Sequence, residues 1–235
     1  MISLLVTAAE LDAEEIGVTG DSYRHLFRAR RLAVGDRLRL TDGAGRARWA
    51  EVMAVDRATG TVRTAQEAPL HPPAGRVELL VAAPEKARAS WLVEKATELG
   101  VAAVRFLATT RTPRDFGDGT VRRLERVAAA ALEQSHGSRL PDLSGTHPWN
   151  EVAALVAAAD DDARYLLDTG EAALAGAGLS LDPAGTVVLV GPEGGWTEAE
   201  REELAGLGAR PVSLGPTTLR TETASLVAAA LLLTP

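Results

Sequence analysis

Residues 1–70 contain several short runs in which apolar and polar positions alternate, as they do along half-buried β-strands. The clearest runs, Arg37–Leu40 and Arg46–Val55, flank Asp42-Gly43, a pair that favours a hairpin turn. Ser3–Ala8 and Thr61–Thr64 add further extended segments. Short strands joined by turns predict a small β-barrel or sandwich over residues 1–70.

A stiff polar break follows at His71–Gly75, which we interpret as a linker over residues 71–75 before a second domain over residues 76–235. Strand-like and helix-like apolar segments alternate in this domain, which predicts an α/β fold with a mostly parallel sheet. The predicted strands are Val77–Ala83, Val101–Ala108, Tyr165–Leu167, Thr186–Val190 and Val212–Leu214. The predicted helices are Lys86–Leu99, Thr120–Ser135, a helix capped by Asn150 and running through Ala159, Glu198–Leu207 and Ala224–Leu233.

The composition excludes several kinds of chemistry. No cysteine is present, which removes disulfides and thiolate catalysis and is compatible with a reducing cytoplasm, where we expect the protein. The four histidines lack metal-ligand spacing, so we expect no metal site. Met1–Ala9 lacks the basic flank of a signal peptide, and Ala224–Leu233 is about half of the ~20 residues that a bilayer span needs. We therefore expect no membrane partner.

The net charge of −7 is unevenly distributed along the chain. Residues 21–63 carry ten arginines against five acids, and residues 86–126 carry nine basic residues against five acids. Residues 150–210 carry three basic residues against twelve acids. The two basic segments are typical either of surfaces that face phosphate groups or of ordinary solvated faces in an arginine-rich protein.

Two loops that follow predicted strands are unusual. Gly191-Pro192-Glu193-Gly194-Gly195 lets the backbone approach a ligand closely and leads to a helix N-terminus, although it matches neither a phosphate loop nor GxGxxG. Leu214–Ala224 places an arginine, a glutamate and several threonines before an apolar helix. Ligands bind at the carboxyl ends of parallel strands, so both loops are candidates for a site. In the alternative, the first is a tight connection, Thr221 or Thr223 caps the helix, and Arg220 pairs with Glu222 at the surface.

In combination, these loops and several other motifs resemble one family. The chain is similar to the bacterial small-subunit (16S) ribosomal RNA uridine-N3 methyltransferases of the SPOUT superfamily, and the resemblance covers nearly the whole chain. The motifs, which occur in the same order and spacing, are His25-Leu26 through Arg31, Val34-Gly35-Asp36 with Asp42-Gly43, Lys95 through Val101, Glu133-Gln134-Ser135 before Pro141, Gly191 through Gly195, and Leu214-Gly215 with Leu219 through Ala224.

The resemblance implies an N-terminal PUA-like barrel that binds RNA and a C-terminal α/β domain with a trefoil knot. It also implies that S-adenosyl-L-methionine is the cofactor and that a homodimer completes the site. By position, the cofactor-binding residues are Leu167, Asp168, Gly191, Pro192, Glu193, Gly195, Leu214, Gly215, Leu219, Arg220 and Thr223. The C-terminal helix Ala224–Leu233 is apolar almost all the way round, which independently favours its burial in a twofold dimer.

Two segments depart from the family pattern. Thr217-Thr218 stand where the family often has Arg-Ile, and His136-Gly137 stand where an arginine often follows Gln-Ser, with Arg139 slightly later. Both changes affect residues that can grip RNA phosphate or the target base, so they bear on the substrate more than on the cofactor.

The reaction requires that the uridine N3 proton be removed or that the resulting anion be stabilised. We expect Glu222 to act as the base and Arg220 as the cation; alternatively, Glu222 only complements the helix dipole. Tyr23, His25 and Phe27 with nearby arginines form an aromatic and basic cluster that can stack bases and hold phosphates, although Phe27 fits a core position better. The candidate RNA-binding residues are Arg24, His25, Arg28, Arg30, Arg31, Lys95 and Arg139.

The expected activity is therefore cofactor-dependent methylation of N3 of one uridine in 16S ribosomal RNA, as naked RNA or within the small subunit. Two alternatives keep the fold: a noncatalytic RNA-binding assembly factor, and a SPOUT methyltransferase acting on another RNA. A nucleotide hydrolase is disfavoured, because no Lys-Ser/Thr follows the glycines of the first loop.

Overall fold

The computed structural model describes residues 1–112, 114–157, 163–169, 174–175, 179–180, 182 and 185–234. The chain divides into two compact units. The first unit comprises Met1–His71 together with Ala129–Leu140, and the second comprises Pro72–Ala128 and Pro141–Pro235. The predicted domain boundaries, with a barrel over residues 1–70, a linker over 71–75 and a second domain over 76–235, stay a prediction. They do not assign residues 129–140 to the first unit.

The first unit contains a five-stranded sheet in the order β1-β3-β4-β5-β2. The β1–β3 pair is parallel, whereas the other pairs are antiparallel. Its elements are β1 (Ser3–Leu5), α1 (Ala8–Asp12), β2 (Glu15–Val18), α2 (Gly20–Tyr23), a π-helical turn (Arg24–Ala29), β3 (Arg37–Thr41), β4 (Ala47–Val55) and β5 (Gly60–Glu67).

Two predictions for the first unit need correction. The strand predicted over Ser3–Ala8 ends at Leu5, because Thr7 caps α1 in a capping box with Glu10. The alternation also missed β2, whose residues Glu15–Val18 pair antiparallel with β5. The predicted strands on either side of Asp42-Gly43 are confirmed as β3 and β4, and Gly43 takes a left-handed φ of 70° between them.

The second unit is built on a seven-stranded sheet in the order β10-β12-β9-β11-β6-β7-β8, and every described pair in it is parallel. The strands are β6 (Val77–Ala82), β7 (Ala103–Leu107), β8 (Asp142–His147), β9 (Arg164–Leu167), β10 (Leu174–Ala175), β11 (Thr186–Val190) and β12 (Arg210–Ser213). The helices are α3 (Lys86–Leu99), α4 (Asp118–Ser135), α5 (Trp149–Ala157), α6 (Glu198–Gly206) and α7 (Thr221–Leu233). The part of α4 from Ala129 onward belongs to the first unit.

The parallel α/β architecture predicted from the sequence is confirmed. The middle strand β11 is buried at all five positions and pairs with β6 and β9, as its unbroken apolar run predicts. The pattern missed β8 and β10, because β8 is half-buried and polar and β10 has only two residues. Asn150 does not cap α5, since that helix already begins at Trp149; its predicted end at Ala159 lies outside the described residues.

The helix α7 packs against α3, β6 and β11. It begins at Thr221, three residues before the predicted start, and its N-cap residue Arg220 makes no side-chain capping bond. The alternative that Thr221 or Thr223 caps this helix is therefore wrong. On one flank of the helix, Leu231 is 58% exposed. The trefoil knot that the resemblance implies stays a prediction.

Candidate functional site

The carboxyl ends of β9, β11 and β12 surround a cavity of about 290 Å³ in the second unit. These strands are neighbours in the sheet, so the loops that follow them converge there. Nine of the eleven predicted cofactor residues line the cavity, namely Leu167, Asp168, Gly191, Pro192, Glu193, Gly195, Leu214, Gly215 and Leu219. Arg220 and Thr223 are not among the residues that line it.

Gly191 is tightly enclosed on one side by an aromatic ring. A Cβ at this position would lie 2.9 Å from Cε2 and Nε1 of Trp196, too close for any real contact. Trp196 is only 1% exposed, and its Nε1–H donates a hydrogen bond of 3.1 Å to the carbonyl of Leu167. On the other side, the carbonyl of Gly191 accepts a bond of 2.9 Å from the hydroxyl of Thr221. Trp196 and Thr221 thereby connect the ends of two strands to the start of α7.

Two further glycines have backbone conformations that L-residues rarely adopt. Gly195 has φ of 71° and Gly215 has φ of 141°, and both line the cavity. The amide of Gly195 donates to the carbonyl of Pro192 at 2.8 Å, which closes a tight turn in the loop after β11. Gly195 and Gly215 therefore determine the backbone conformation of the cavity wall.

The side chain of Arg111 braces the same loop from outside. Its Nη1 donates to the carbonyl of Gly194 and lies 3.4 Å and 3.3 Å from the carbonyls of Gly195 and Trp196. Three carbonyls that point at one guanidinium hold the peptide planes of the turn in a fixed orientation. Sequence reasoning missed this residue, because nothing in the local pattern around Arg111 relates it to a loop more than 80 residues away.

An ion pair closes another part of the cavity wall. Nε of Arg201 lies 2.6 Å from Oδ2 of Asp168, and both residues line the cavity. The hydrogen bond with this carboxylate raises the pKa of Arg201 above its ordinary value. Asp168 was predicted from its position after β9, whereas Arg201 lies within α6 and gave no signal in the sequence.

The candidate base Glu222 is buried in the first turn of α7, with 6% of its surface exposed. Its Oε2 has no hydrogen-bond partner among the residues that the structure describes. Its Oε1 lies 3.8 Å from Nε of Arg88, a residue of α3 that also pairs with Glu193 on the cavity wall. The hydrogen bond with Glu193 raises the pKa of Arg88.

Arg88 was missed, and the alternative that Arg220 pairs with Glu222 at the surface is wrong. Arg220 is exposed, while Glu222 is buried beside a different arginine. Neither Arg220 nor Glu222 lines the cavity itself. The cavity wall does include Thr217 and Thr218, the two residues that depart from the family pattern.

The candidate RNA-binding residues fall into both units. Arg24, His25, Arg28, Arg30 and Arg31 are exposed in the first unit, in or directly after the π-helical turn. Arg139 is exposed in the same unit, with its guanidinium beside Gly45. Lys95 lies on α3 in the second unit, where its Nζ pairs with Glu94 at 2.7 Å and with Glu98 at 2.8 Å. These two pairs engage Lys95, as Asp21 engages Arg24 and the carbonyl of Arg57 engages Arg28.

The aromatic part of the predicted cluster is not available for stacking. Tyr23 is 4% exposed and Phe27 is 7% exposed, and both belong to the core of the first unit. The hydroxyl of Tyr23 donates to the carbonyl of Asp56. The core position preferred for Phe27 is thus confirmed, and the idea that Tyr23 stacks bases is wrong.

The described residues also bear on metal sites and membrane spans. No group of three or more His, Asp or Glu side chains is arranged to hold a metal ion in the part of the chain that the structure describes. Within the same residues, no helix is both long and apolar enough to cross a membrane.

Comparisons with known proteins match most of the chain. Residues 71–233 match the family model described as an RNA methyltransferase domain, and residues 18–63 match that of an RNA methyltransferase PUA domain. A curated relative from Mycobacterium tuberculosis, named ribosomal RNA small subunit methyltransferase E, is 33% identical over 224 residues, which cover 90% of this chain and 83% of the relative. A relative of the same name from Synechocystis is 30% identical over 233 residues, with 97% and 75% covered.

A solved structure supports the same fold. It is the ribosomal RNA small subunit methyltransferase E from Neisseria gonorrhoeae bound to S-adenosyl methionine. Its TM-score with this chain is 0.85 at 23% identity, and the match covers 98% of this chain and 96% of that chain.

Proposed function

The chain belongs to the ribosomal RNA small subunit methyltransferase E family, and on that premise we propose that it transfers a methyl group to N3 of one uridine in 16S ribosomal RNA. The resemblance deduced from the sequence motifs is thereby confirmed at the level of the family. RNA methylation is the activity of the family, while the choice of uridine N3 is the finer part of the proposal.

The cavity at the ends of β9, β11 and β12 fits S-adenosyl-L-methionine. Its volume of about 290 Å³ lies near the lower end of the range of small-molecule sites, on the order of 300–1,000 Å³. Glycines at positions 191, 195 and 215 leave backbone groups accessible on its wall, and buried apolar side chains exclude water behind them. S-adenosyl-L-methionine, when bound, supplies a methyl group already activated by positive sulfur, so no metal is required.

The protein's own task is to orient the acceptor base and to manage one proton. Uridine N3 is a poor nucleophile until its proton leaves, and Glu222 is our candidate for the base. Its support is the buried Oε2 without a partner among the described residues, because such an oxygen is free to accept a proton or a water molecule. Arg88 places a positive charge beside the same carboxylate and positions it.

Arg220 is our candidate for the cation that stabilises negative charge on the uridine oxygens. It is exposed at the N-cap of α7, next to the loop that lines the cavity, so it is accessible to an incoming base. Thr223, the other predicted residue outside the cavity wall, is assigned to the cofactor only through the resemblance.

The RNA is proposed to contact the exposed arginines of the first unit. The Watson–Crick edge of the target uridine must be unpaired for N3 to be reached. Arg28, Arg30 and Arg31 are exposed cations close together in the sequence, and each phosphate contact they make contributes about 0.7–0.9 to the log–log salt slope of binding. The proposed partner is 16S RNA or the small ribosomal subunit, and the proposed location is the cytoplasm.

A homodimer is also part of the proposal. Leu231 on α7 is 58% exposed and Trp91 on the adjoining helix α3 is 44% exposed. Large exposed apolar side chains on two packed helices are typical of a surface that a partner covers. A second copy of the chain is the proposed partner.

The decisive experiment is a methyl-transfer assay with radiolabelled cofactor on small-subunit RNA that lacks the modification. We expect N3-methyluridine in nuclease digests analysed by mass spectrometry, with naked 16S RNA and intact subunits compared as substrates. Cofactor binding without any transfer to either substrate would favour the noncatalytic assembly factor. Transfer to another position or another RNA would refute the uridine-N3 assignment while preserving the methyltransferase.

A further inference from the structure

The first unit contains a cavity of about 500 Å³, separate from the site described above. Strand β1, the π-helical turn and the C-terminal part of α4 form its walls. The polar residues that line it are Ser3, His25, Arg30, Glu133, Gln134 and His136. Its volume is in the range of small-molecule sites, on the order of 300–1,000 Å³.

Two buried polar atoms in the walls of this cavity have no hydrogen-bond partner among the described residues. They are Oγ of Ser3 and Nδ1 of His136. Ser3 is only 4% exposed, and its neighbour Leu4 belongs to the core of the first unit. Successive strand residues point to opposite faces, so Ser3 faces away from that core. Buried polar atoms are nearly always paired, so two atoms without a protein partner at one cavity indicate that polar groups from outside the protein, either water or a ligand, meet them there.

The electrostatic character changes from the interior of the cavity to its mouth. Burial lowers the pKa of His136, and the positive charges of the N-terminal amino group and Arg39 lower it further, which favours the neutral form of the ring. Glu133 accepts a bond of 2.8 Å from the amide of Leu5 and adds a carboxylate to the wall. His25, Arg30 and Gln134, by contrast, are exposed.

From this arrangement we infer that the cavity binds one unpaired nucleotide of the RNA substrate, with the base inside and its phosphate at Arg30. A nucleobase has neutral donors and acceptors along its edge, which match the buried hydroxyl of Ser3 and the imidazole of His136. The carboxylate of Glu133 in the wall disfavours a phosphate beside it. The guanidinium of Arg30 suits a phosphate at the rim.

The inference rests on the proposed function, because it assumes that RNA is the substrate. It goes further by assigning a second contact that holds a nucleotide other than the methylated one. Such a contact would select RNA by sequence at a point outside the methyl-transfer cavity, since the base edge itself is contacted.

The first test uses the full-length protein with isotope-labelled histidine, titrated with each of the four nucleoside 5′-monophosphates and with inorganic phosphate. We expect the ring signals of His25 and His136 to shift with at least one nucleotide, while His71 and His147 stay unchanged. Shifts caused equally by inorganic phosphate would mean a simple anion site and would overturn the inference. Unchanged signals with all four nucleotides, at concentrations up to the solubility limit, would also overturn it.

The second test compares two variants that lose the same charge in the same unit. Arg30→Ala removes a side chain of the cavity, whereas Arg57→Ala removes an exposed arginine that does not line it. We expect Arg30→Ala to weaken binding of a short single-stranded small-subunit RNA about tenfold more than Arg57→Ala, the size of one lost charge-assisted contact. Equal losses in the two variants would reduce the effect to general electrostatics and refute the inference.

A third variant, Ser3→Ala, removes only a hydroxyl at the cavity wall. It should lower nucleotide affinity without changing the unfolding temperature, because Oγ of Ser3 has no partner among the described residues that would be lost. Cofactor affinity, measured in parallel by calorimetry, distinguishes failure of this inference from failure of the proposed function. Normal cofactor binding and methyl transfer with no response at the cavity would refute this inference alone, whereas loss of the assumed RNA activity would refute the proposed function.

Discussion

Replacing Gly191 by alanine tests whether the tight contact with Trp196 shapes the cavity. The added Cβ would lie 2.9 Å from two atoms of a ring that is 1% exposed and hydrogen-bonded to the carbonyl of Leu167. The ring must shift, which strains the packing and weakens that bond. Overpacking costs about 1–3 kcal/mol, and the weakened bond adds on the order of 1 kcal/mol or less.

The assay is differential scanning calorimetry with and without cofactor, combined with isothermal titration. The two units can unfold separately, so the transition of the second unit is the one to follow. Each kcal/mol lowers its midpoint by about 2–4 °C, and cofactor affinity should fall because the wall of the cavity moves. Gly206→Ala is the matched control: nothing lies within 4 Å of the added Cβ, so a helical alanine there should be neutral or stabilise by up to about 1 kcal/mol.

A double variant checks the cause directly. Trp196→Phe lacks the indole atoms that clash, so adding Gly191→Ala to it should cost less than the same change in the wild type. Additive losses would mean that the alanine acts elsewhere. An unchanged midpoint and unchanged cofactor affinity in Gly191→Ala would refute the proposed role of this contact altogether.

Three further predictions concern the base, the pH dependence and the dimer. Glu222→Gln should lower the rate of methyl transfer about 10²-fold or more while cofactor affinity is kept; an unchanged rate would exclude Glu222 as the base. Burial raises the pKa of Glu200, but hydrogen bonds from backbone amides lower it by more, so the pKa lies below its ordinary value of 4.5. The ionised carboxylate therefore stabilises the folded protein above pH 4.5, and this stabilisation is lost as the pH falls through the lowered pKa. Glu200→Gln should therefore weaken the acid dependence of the second unit's unfolding temperature, whereas the exposed Glu198→Gln should change it little. Leu231→Glu should convert the dimer to a folded monomer in light scattering, whereas Ala228→Glu, at a position with no exposure, should unfold the second unit; a wild-type monomer that binds cofactor fully would contradict the dimer.

Much of the second unit could be predicted from local sequence alone. The bounds of α3 and β11 agree with the predicted segments, because a helix and a buried central strand each leave a distinct apolar period. Gly100 ends α3 in a left-handed conformation, and the capping box of Thr197 and Glu200 starts α6, both as their spacing predicts. These elements could be predicted because apolar periodicity and helix capping each depend on residues only a few positions apart in the sequence.

In the candidate site, too, only the residues with a local sequence signal could be predicted. The glycine turn after β11 and the acid after β9 could be located from the sequence, since ligands bind where parallel strands end. The arginines at positions 88, 111 and 201 could not, because each lies on another element and reaches its partner only after the chain folds. The burial of Glu222 was likewise hidden, since an acid in the first turn of a helix is equally compatible with a solvated position.

The sequence by itself thus determined most of the strands and helices of the second unit, the glycine loops and the family to which the chain belongs. Only the tertiary structure decided which charged groups meet. It buries Glu222 beside Arg88, turns Tyr23 into the core and returns residues 129–140 to the first unit, where His136 and Ser3 line one cavity. The physical reason is that periodicity and turn chemistry act over a few neighbouring residues, whereas burial and charge pairing depend on contacts between residues far apart in the chain.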